Sequence, residues 1–269
     1  MYENHWHCDA KPFENTPDPD YFYCSPKHEE ALSRLLYAVK ERKGGVMLTG
    51  EPGCGKTLLS RVLLKELNSD MYQFAIIFNP RLSPLNLLQE IVYQLDGDSR
   101  HSSKIRVLRA FDDILRANRN RKRSTVIVVD EAQAITHKNC FEELRLLLNF
   151  QSNDDFLLTL VLLGQPELKS RINDLPQLKQ RLTVRYHLNA LSEDETSAYI
   201  QHRLKSAGIH HQIFSGEACR EIYYLSGGVP RRINNICDMA LLVGAAHGTG
   251  EIDQKIVGDV AVDLEEVPV

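Results

Sequence analysis

Gly50, Glu51, Pro52, Gly53, Cys54, Gly55, Lys56 and Thr57 satisfy G-x-x-x-x-G-K-[ST] at every fixed position, the spacing of a loop that cradles a triphosphate. Its glycines permit sharp turns and let backbone N–H groups approach an anion without a Cβ in the way. Lys56 would reach the β- and γ-phosphates as a point charge, and the Thr57 hydroxyl would ligate a bridging Mg²⁺. Leu58 continues into a helix whose N-terminus faces the phosphates. A second cluster, Asp130-Glu131 followed by Ala132-Gln133, closes an apolar run and reads as a Walker B element. Asp130 would hold the metal, and Glu131 would polarise the attacking water as general base. The implied ligands are ATP and Mg²⁺. Cys54 reads as a tolerated small residue of the loop; the alternative is that its place beside Lys56 at a helix N-terminus, a setting that lowers a thiol pKa, lets oxidation block ATP. His5, His7, Cys8, Cys24 and His28 match no tight zinc spacing and read as scattered surface and core residues.

These residues need strands and helices to hold them. Gly44 to Thr49 is the short apolar strand before the loop, and Leu58 to Leu64 carries helical periodicity after it. Gln73 to Phe78 reads as a second strand, ended by Asn79-Pro80, and Ser83-Pro84 caps a helix to about Leu95. Ile105, Leu108, Phe111 and Leu115 mark an amphipathic helix that ends in Arg116, Arg119, Arg121, Lys122 and Arg123. Cations there suit the helix dipole and a solvated face, with contact to nucleic acid or a partner as the alternative. Thr125 to Val129 is the apolar strand that delivers Asp130 and Glu131. After a helix with Phe141, Leu144, Leu147 and Leu148 comes the strand Phe156 to Leu163, closed by Gly164-Gln165-Pro166. With this strand between the first and third, Gln165 would lie within reach of the γ-phosphate and the attacking water as a sensor. Pro176 to Leu182 is a short helical segment with Lys179 and Arg181, and Val184 to Leu188 is a fifth strand.

From Leu191 the pattern is helical only. Ser192 with Glu195 forms a capping box, Ser215 caps a second helix, and Gly227-Gly228-Val229-Pro230 leads into a long helix beginning Arg231-Arg232. The organisation expected is a nucleotide-binding α/β core over 1–190, with residues 1–26 as an N-terminal strap, followed by an all-helical lid over 191–269. Ser25-Pro26 starts the helix that precedes the first strand.

Composition sets the bounds. With 269 residues, 43% hydrophobic and 25% charged, the chain can bury a real core. It contains no run of ~18 apolar residues and no secretory signal, so it is read as cytoplasmic, and its six cysteines as reduced thiols. A formal charge of −4 argues against a generally DNA-coating surface, though not against a local basic stripe.

A five-stranded parallel α/β core followed by a helical lid, with G-x-P-R opening a lid helix, resembles the P-loop NTPases of AAA+ type. More narrowly, KPFENTPDPDYFYCSPKHEEALSRLLYAVKERKG, VVDEAQ with LRLLLNFQ and LLGQPELKSRI, and LKQRLTVRYHL with GGVPRRINNICDMALL resemble the ATPase domain of the general secretion pathway protein A family. The resemblance implies a cytoplasmic ATPase that forms a homo-oligomer with ATP at subunit interfaces. It implies service to the assembly of a secretion, pilus or polysaccharide-export machine, peripheral to the inner membrane through a membrane-bound partner. Family members often continue into a membrane span and a periplasmic peptidoglycan-binding domain, so this chain is expected to be a stand-alone member or a truncated piece. A related branch resembles the regulatory ATPases of transposition, which makes DNA binding the alternative function; a scaffold that binds ATP but barely hydrolyses it is a third. The matching positions also imply roles. Arg231 would be the lid's sensor of the γ-phosphate, and Arg181 the finger offered to a neighbouring subunit, with Arg185 second in line. Asn79, ending the strand beside Walker B, would hydrogen-bond Glu131 and turn it away from water.

Overall fold

The apolar runs pair into one all-parallel sheet in a computed structural model that describes residues 2–97, 103–152 and 156–266. Along the chain come α1 (Glu3–Trp6), α2 (Pro26–Lys40), β1 (Gly45–Gly50), α3 (Lys56–Glu66), β2 (Tyr72–Ile77), α4 (Pro84–Asp96), α5 (Lys104–Asn120) and β3 (Ser124–Val129). They are followed by α6 (Lys138–Leu147), β4 (Leu158–Gly164), α7 (Glu167–Asn173), α8 (Pro176–Arg181), β5 (Leu182–Leu188), α9 (Glu193–Ser206), α10 (Gly216–Ser226), α11 (Pro230–His247) and α12 (Gln254–Glu266). The sheet order is β2-β3-β4-β1-β5, so the strands that carry Asp130 and Gln165 toward their C-terminal ends are neighbours. Ser83, Ser192 and Ser215 cap α4, α9 and α10 through their side chains, and Ser192 with Glu195 completes the capping box. β4 starts at Leu158, two residues later than the hydrophobic run suggests, because Phe156 instead forms an antiparallel bridge with Gln151.

Contacts within the chain divide it into two units. One comprises 29–50 and 59–188; the other comprises 1–28, 51–58 and 189–269. In the sheet unit, alternate residues Ala75, Ile77, Ile127, Val129, Leu160, Leu162 and Met47 join Leu87, Ile91, Phe111, Leu115, Phe141 and Leu144 in one core. The strand residues between them, Val46, Leu48, Val126, Val128, Val161 and Leu163, are buried as well, as expected for a parallel sheet covered on both faces. The end of α5 is fastened by Asn118, whose Nδ2 donates to Gln73 Oε1 at 2.6 Å and Thr125 Oγ1 at 2.8 Å.

The helical unit is built on Ile200, Leu204, Ile222, Ile233, Cys237 and Leu241. The N-terminal residues belong to this core, because Tyr2, Trp6 and Phe13 are each nearly fully buried in it and Trp6 Nε1 donates to Leu241 O at 2.9 Å. Arg203, itself buried, holds the same segment with bonds to Pro12 O at 2.5 Å and Glu14 O at 2.8 Å, and its guanidinium stacks on the Tyr21 ring at 4.6 Å. Among the described residues, no helix is long and apolar enough to cross a membrane.

Candidate phosphate loop and strand-end carboxylates

The loop that leaves β1 is shaped by two left-handed glycines, Gly53 at φ 85° and Gly55 at φ 94°, before α3 begins at Lys56. Lys56 is 5% exposed and folds back to donate from Nζ to Glu51 O at 2.9 Å. The Arg231 N–H donates to Gly53 O at 3.3 Å, so the residue after Pro230 touches the loop through its backbone. A Cβ on Gly53 would come within 2.8 Å of Arg231 Cβ and 3.1 Å of Val229 Cγ1. Gly53→Ala therefore combines an unfavourable φ with a steric collision. We expect it to destabilise the protein by roughly 1–3 kcal/mol, read as a lowered thermal midpoint, and an unchanged midpoint would refute this account of the loop.

His28 supports the loop from below. Ser25 Oγ–H donates to His28 Nδ1 at 2.8 Å, which leaves Nε2–H to donate to Cys54 O at 3.1 Å. Both Ser25 and His28 are buried, and burial pushes the imidazole pKa down, keeping it neutral as this tautomer requires. The sequence marks His28 only as one of several scattered surface and core residues, because its contact to a loop carbonyl spans 26 residues and has no local signature. Of the two readings of Cys54, the structure supports the tolerated small residue. Its side chain is fully buried, and burial raises the thiol pKa more than nearby Lys56 lowers it, so it is an inert packing residue.

At the strand ends of the sheet unit, the Asp130 N–H donates to Ile77 O at 2.9 Å, extending the β2–β3 ladder by one residue. Asp130 is 3% exposed, and its Oδ1 accepts the Glu131 N–H at 2.8 Å. A buried carboxylate of this kind is an oxygen donor chemically suited to a hard cation such as Mg²⁺. Glu131 adopts φ 49°, a left-handed conformation uncommon outside glycine. Its Oε2 accepts Gln133 Nε2 at 2.5 Å and Gln165 Nε2 at 3.2 Å. Gln165 follows β4, which lies between β3 and β1 as expected, and it reaches Glu131 directly. Asn79 does not. It is exposed, and its Oδ1 accepts the Arg81 N–H at 3.3 Å in a local turn, so the bond to Glu131 expected of it is made by Gln165 and Gln133 instead. Gln133 stood in plain view in the sequence, but no spacing rule marks it.

Arg181 lies elsewhere. It ends α8 just before β5, where Leu182 pairs with Gly45 at the start of β1, and its Nη2 donates to Asn149 Oδ1 at 3.1 Å. A six-residue strand is roughly 16–20 Å long, which puts Arg181 at the opposite end of the sheet from Glu131. Arg185, four residues on, turns back to the same end, bonding Leu182 O at 3.0 Å and Lys179 O at 2.7 Å.

Residues 39–172 match the AAA domain family. General secretion pathway protein A of Aeromonas hydrophila is 40% identical over 271 residues, covering 99% of this chain and 48% of that protein. The chain thus spans about half the length of the curated relative it matches. Among solved structures, Aeropyrum pernix ORC2 in its ADPNP-ADP complexes matches with a TM-score of 0.70 at 16% identity, over 97% of this chain and 73% of that one. Aeropyrum pernix ORC1 in complex with DNA matches with a TM-score of 0.72 at 15% identity, over 95% and 70%. At these identities the likeness is one of fold: an α/β P-loop NTPase sheet followed by helices.

Proposed function

We propose, for a chain that belongs to the AAA family of P-loop proteins and is related to general secretion pathway protein A, that it binds and hydrolyses ATP, working as an oligomer that supports assembly of a cell-envelope machine. The observation that carries the ATPase reading is the Glu131 carboxylate, held by two carboxamides beside the buried carboxylate of Asp130. A strand-end glutamate gripped this way is a base with a fixed orientation, which a merely structural acid does not need.

In this reading, the backbone of residues 50–58 and Lys56 bind the phosphates, Lys56 exchanging its bond to Glu51 O for phosphate oxygens. Thr57 and Asp130 would hold Mg²⁺, which supplies neutralisation of phosphate charge. Glu131 takes a proton from water as the water oxygen attacks the γ-phosphorus and the bond to the ADP oxygen breaks. Gln165 aligns with the γ-phosphate from the end of β4, and Arg231 contacts it from the start of α11. The site of action is the cytoplasmic face of the inner membrane, reached through a membrane-bound partner.

Lys56→Ala tests the binding half. Removing a cation that meets concentrated phosphate charge should weaken ATP affinity by roughly 10–100-fold with the fold intact, measured by titration of a fluorescent ATP analogue. Normal affinity would exclude the assignment. DNA-dependent regulation is the second reading, favoured by the exposed Arg119, Arg121 and Lys122 at the end of α5. The rest of that basic run is already engaged: Arg116 bonds Asp112 at 2.8 Å and Arg123 bonds Ser69 O at 2.9 Å. Sedimentation with a non-hydrolysable ATP analogue, with and without duplex DNA at two salt concentrations, separates the two, since a DNA-dependent oligomer with a steep salt slope belongs to the second.

A further inference from the structure

We propose that Gln133 is a positioning residue for the Glu131 carboxylate, fixing which of its oxygens faces the attacking water. The inference rests on the reading of Glu131 as general base. Gln133 Nε2 and Gln165 Nε2 both donate to Oε2, at 2.5 and 3.2 Å. Among the described residues, none donates a hydrogen bond to Oε1. One oxygen is anchored, and the other keeps its lone pairs for a proton.

Gln133 is itself held at three points. Its Oε1 accepts the Gln165 N–H at 3.0 Å, so donor and acceptor ends of the carboxamide are both assigned and the amide cannot flip without losing two bonds. Its backbone carbonyl accepts from Arg171 Nη1, and that guanidinium stacks on the Phe141 ring at 5.1 Å. The carboxamide also occupies the space that a side chain on Gly164 would need: a Cβ there would lie 2.8 Å from Gln133 Oε1 and 2.7 Å from Leu168 Cδ2. A glycine ending β4 therefore leaves room for the glutamine that aims the glutamate of β3. Glu131 adopts a left-handed backbone conformation, and its Oε2 is held by these two carboxamides.

The tests are Gln133→Leu, which keeps the volume and removes both polar ends, and Gly164→Ala, which displaces the carboxamide without deleting a polar atom. Each should lower kcat on the order of 10–100-fold, the scale of a reacting group misplaced by about 1 Å, while the Kd for ATP and the KM stay within about twofold of wild type. Because the two changes act through one carboxamide, the double variant should be no slower than Gln133→Leu alone. Glu131→Gln is measured alongside. If Glu131→Gln turns over normally, the general-base reading fails. If it is inactive while Gln133→Leu and Gly164→Ala keep the wild-type kcat, or exceed it, the base stands and the positioning role is wrong. Should Gln133→Leu fail to bind ATP, Gly164→Ala decides by the same kcat criterion.

Discussion

Glu131→Gln should hold ATP with near wild-type affinity and hydrolyse it roughly 10²–10⁴-fold more slowly, the contribution expected of a positioned general base. The substitution leaves untouched everything assigned to binding. The Gly53 and Gly55 turns, Lys56 and Thr57 lie on another segment, and Asp130 keeps its buried carboxylate and its contact to the residue 131 N–H. A carboxamide also preserves the shape of the carboxylate and can present its oxygen to Gln133 Nε2 and Gln165 Nε2, so the local arrangement need not collapse. What it loses is the capacity to accept a proton from water. Single-turnover hydrolysis beside equilibrium ATP binding separates the two effects. Lost binding would mean that Glu131 is structural, and unchanged turnover would mean that another group is the base.

The parts of this arrangement that could be read from sequence are those encoded within a few residues. Ser83, Ser192 and Ser215 announce their helices because an N-cap bond closes over three residues. The buried strands are legible because both faces of the sheet are covered, so each is a continuous apolar run. Long-range hydrogen bonds have no such imprint. His28 reaches the carbonyl of Cys54, and Gln133 reaches the end of a strand 32 residues away, yet neither residue carries a local pattern that a propensity or a motif would flag. Two readings argued from chain neighbours, a reactive Cys54 thiol and a bond from Asn79 to Glu131, are not what the structure shows. Cys54 is near Lys56 in sequence, but burial dominates its thiol. Asn79 ends the strand beside β3, but the shortest path for its amide oxygen is the turn N–H two residues on.

Arg181→Ala should bind ATP almost normally and hydrolyse it about 10³–10⁵-fold more slowly, provided that this arginine acts on a neighbouring copy's phosphates. Within its own sheet unit Arg181 stands at the start of β5, at the opposite end from Glu131, tied to Asn149 and lying over the Phe156 ring at 5.9 Å. A surface arginine held by contacts of this kind contributes little to stability, so the structural and catalytic readings differ by roughly 4–7 kcal/mol in the barrier. Mixing distinguishes them further. Arg181→Ala retains an intact Glu131, and Glu131→Gln retains an intact Arg181, so an interface that pairs the first variant's site with the second variant's arginine should recover turnover that neither shows alone. Wild-type specific activity should also rise with protein concentration as interfaces form. Arg185, whose guanidinium bonds two backbone carbonyls at the same end of the sheet, is the control. Loss of activity in Arg185→Ala with none in Arg181→Ala would transfer the role to Arg185. Normal activity in both, with specific activity independent of concentration, would show that each chain completes its own site and that hydrolysis requires no second copy.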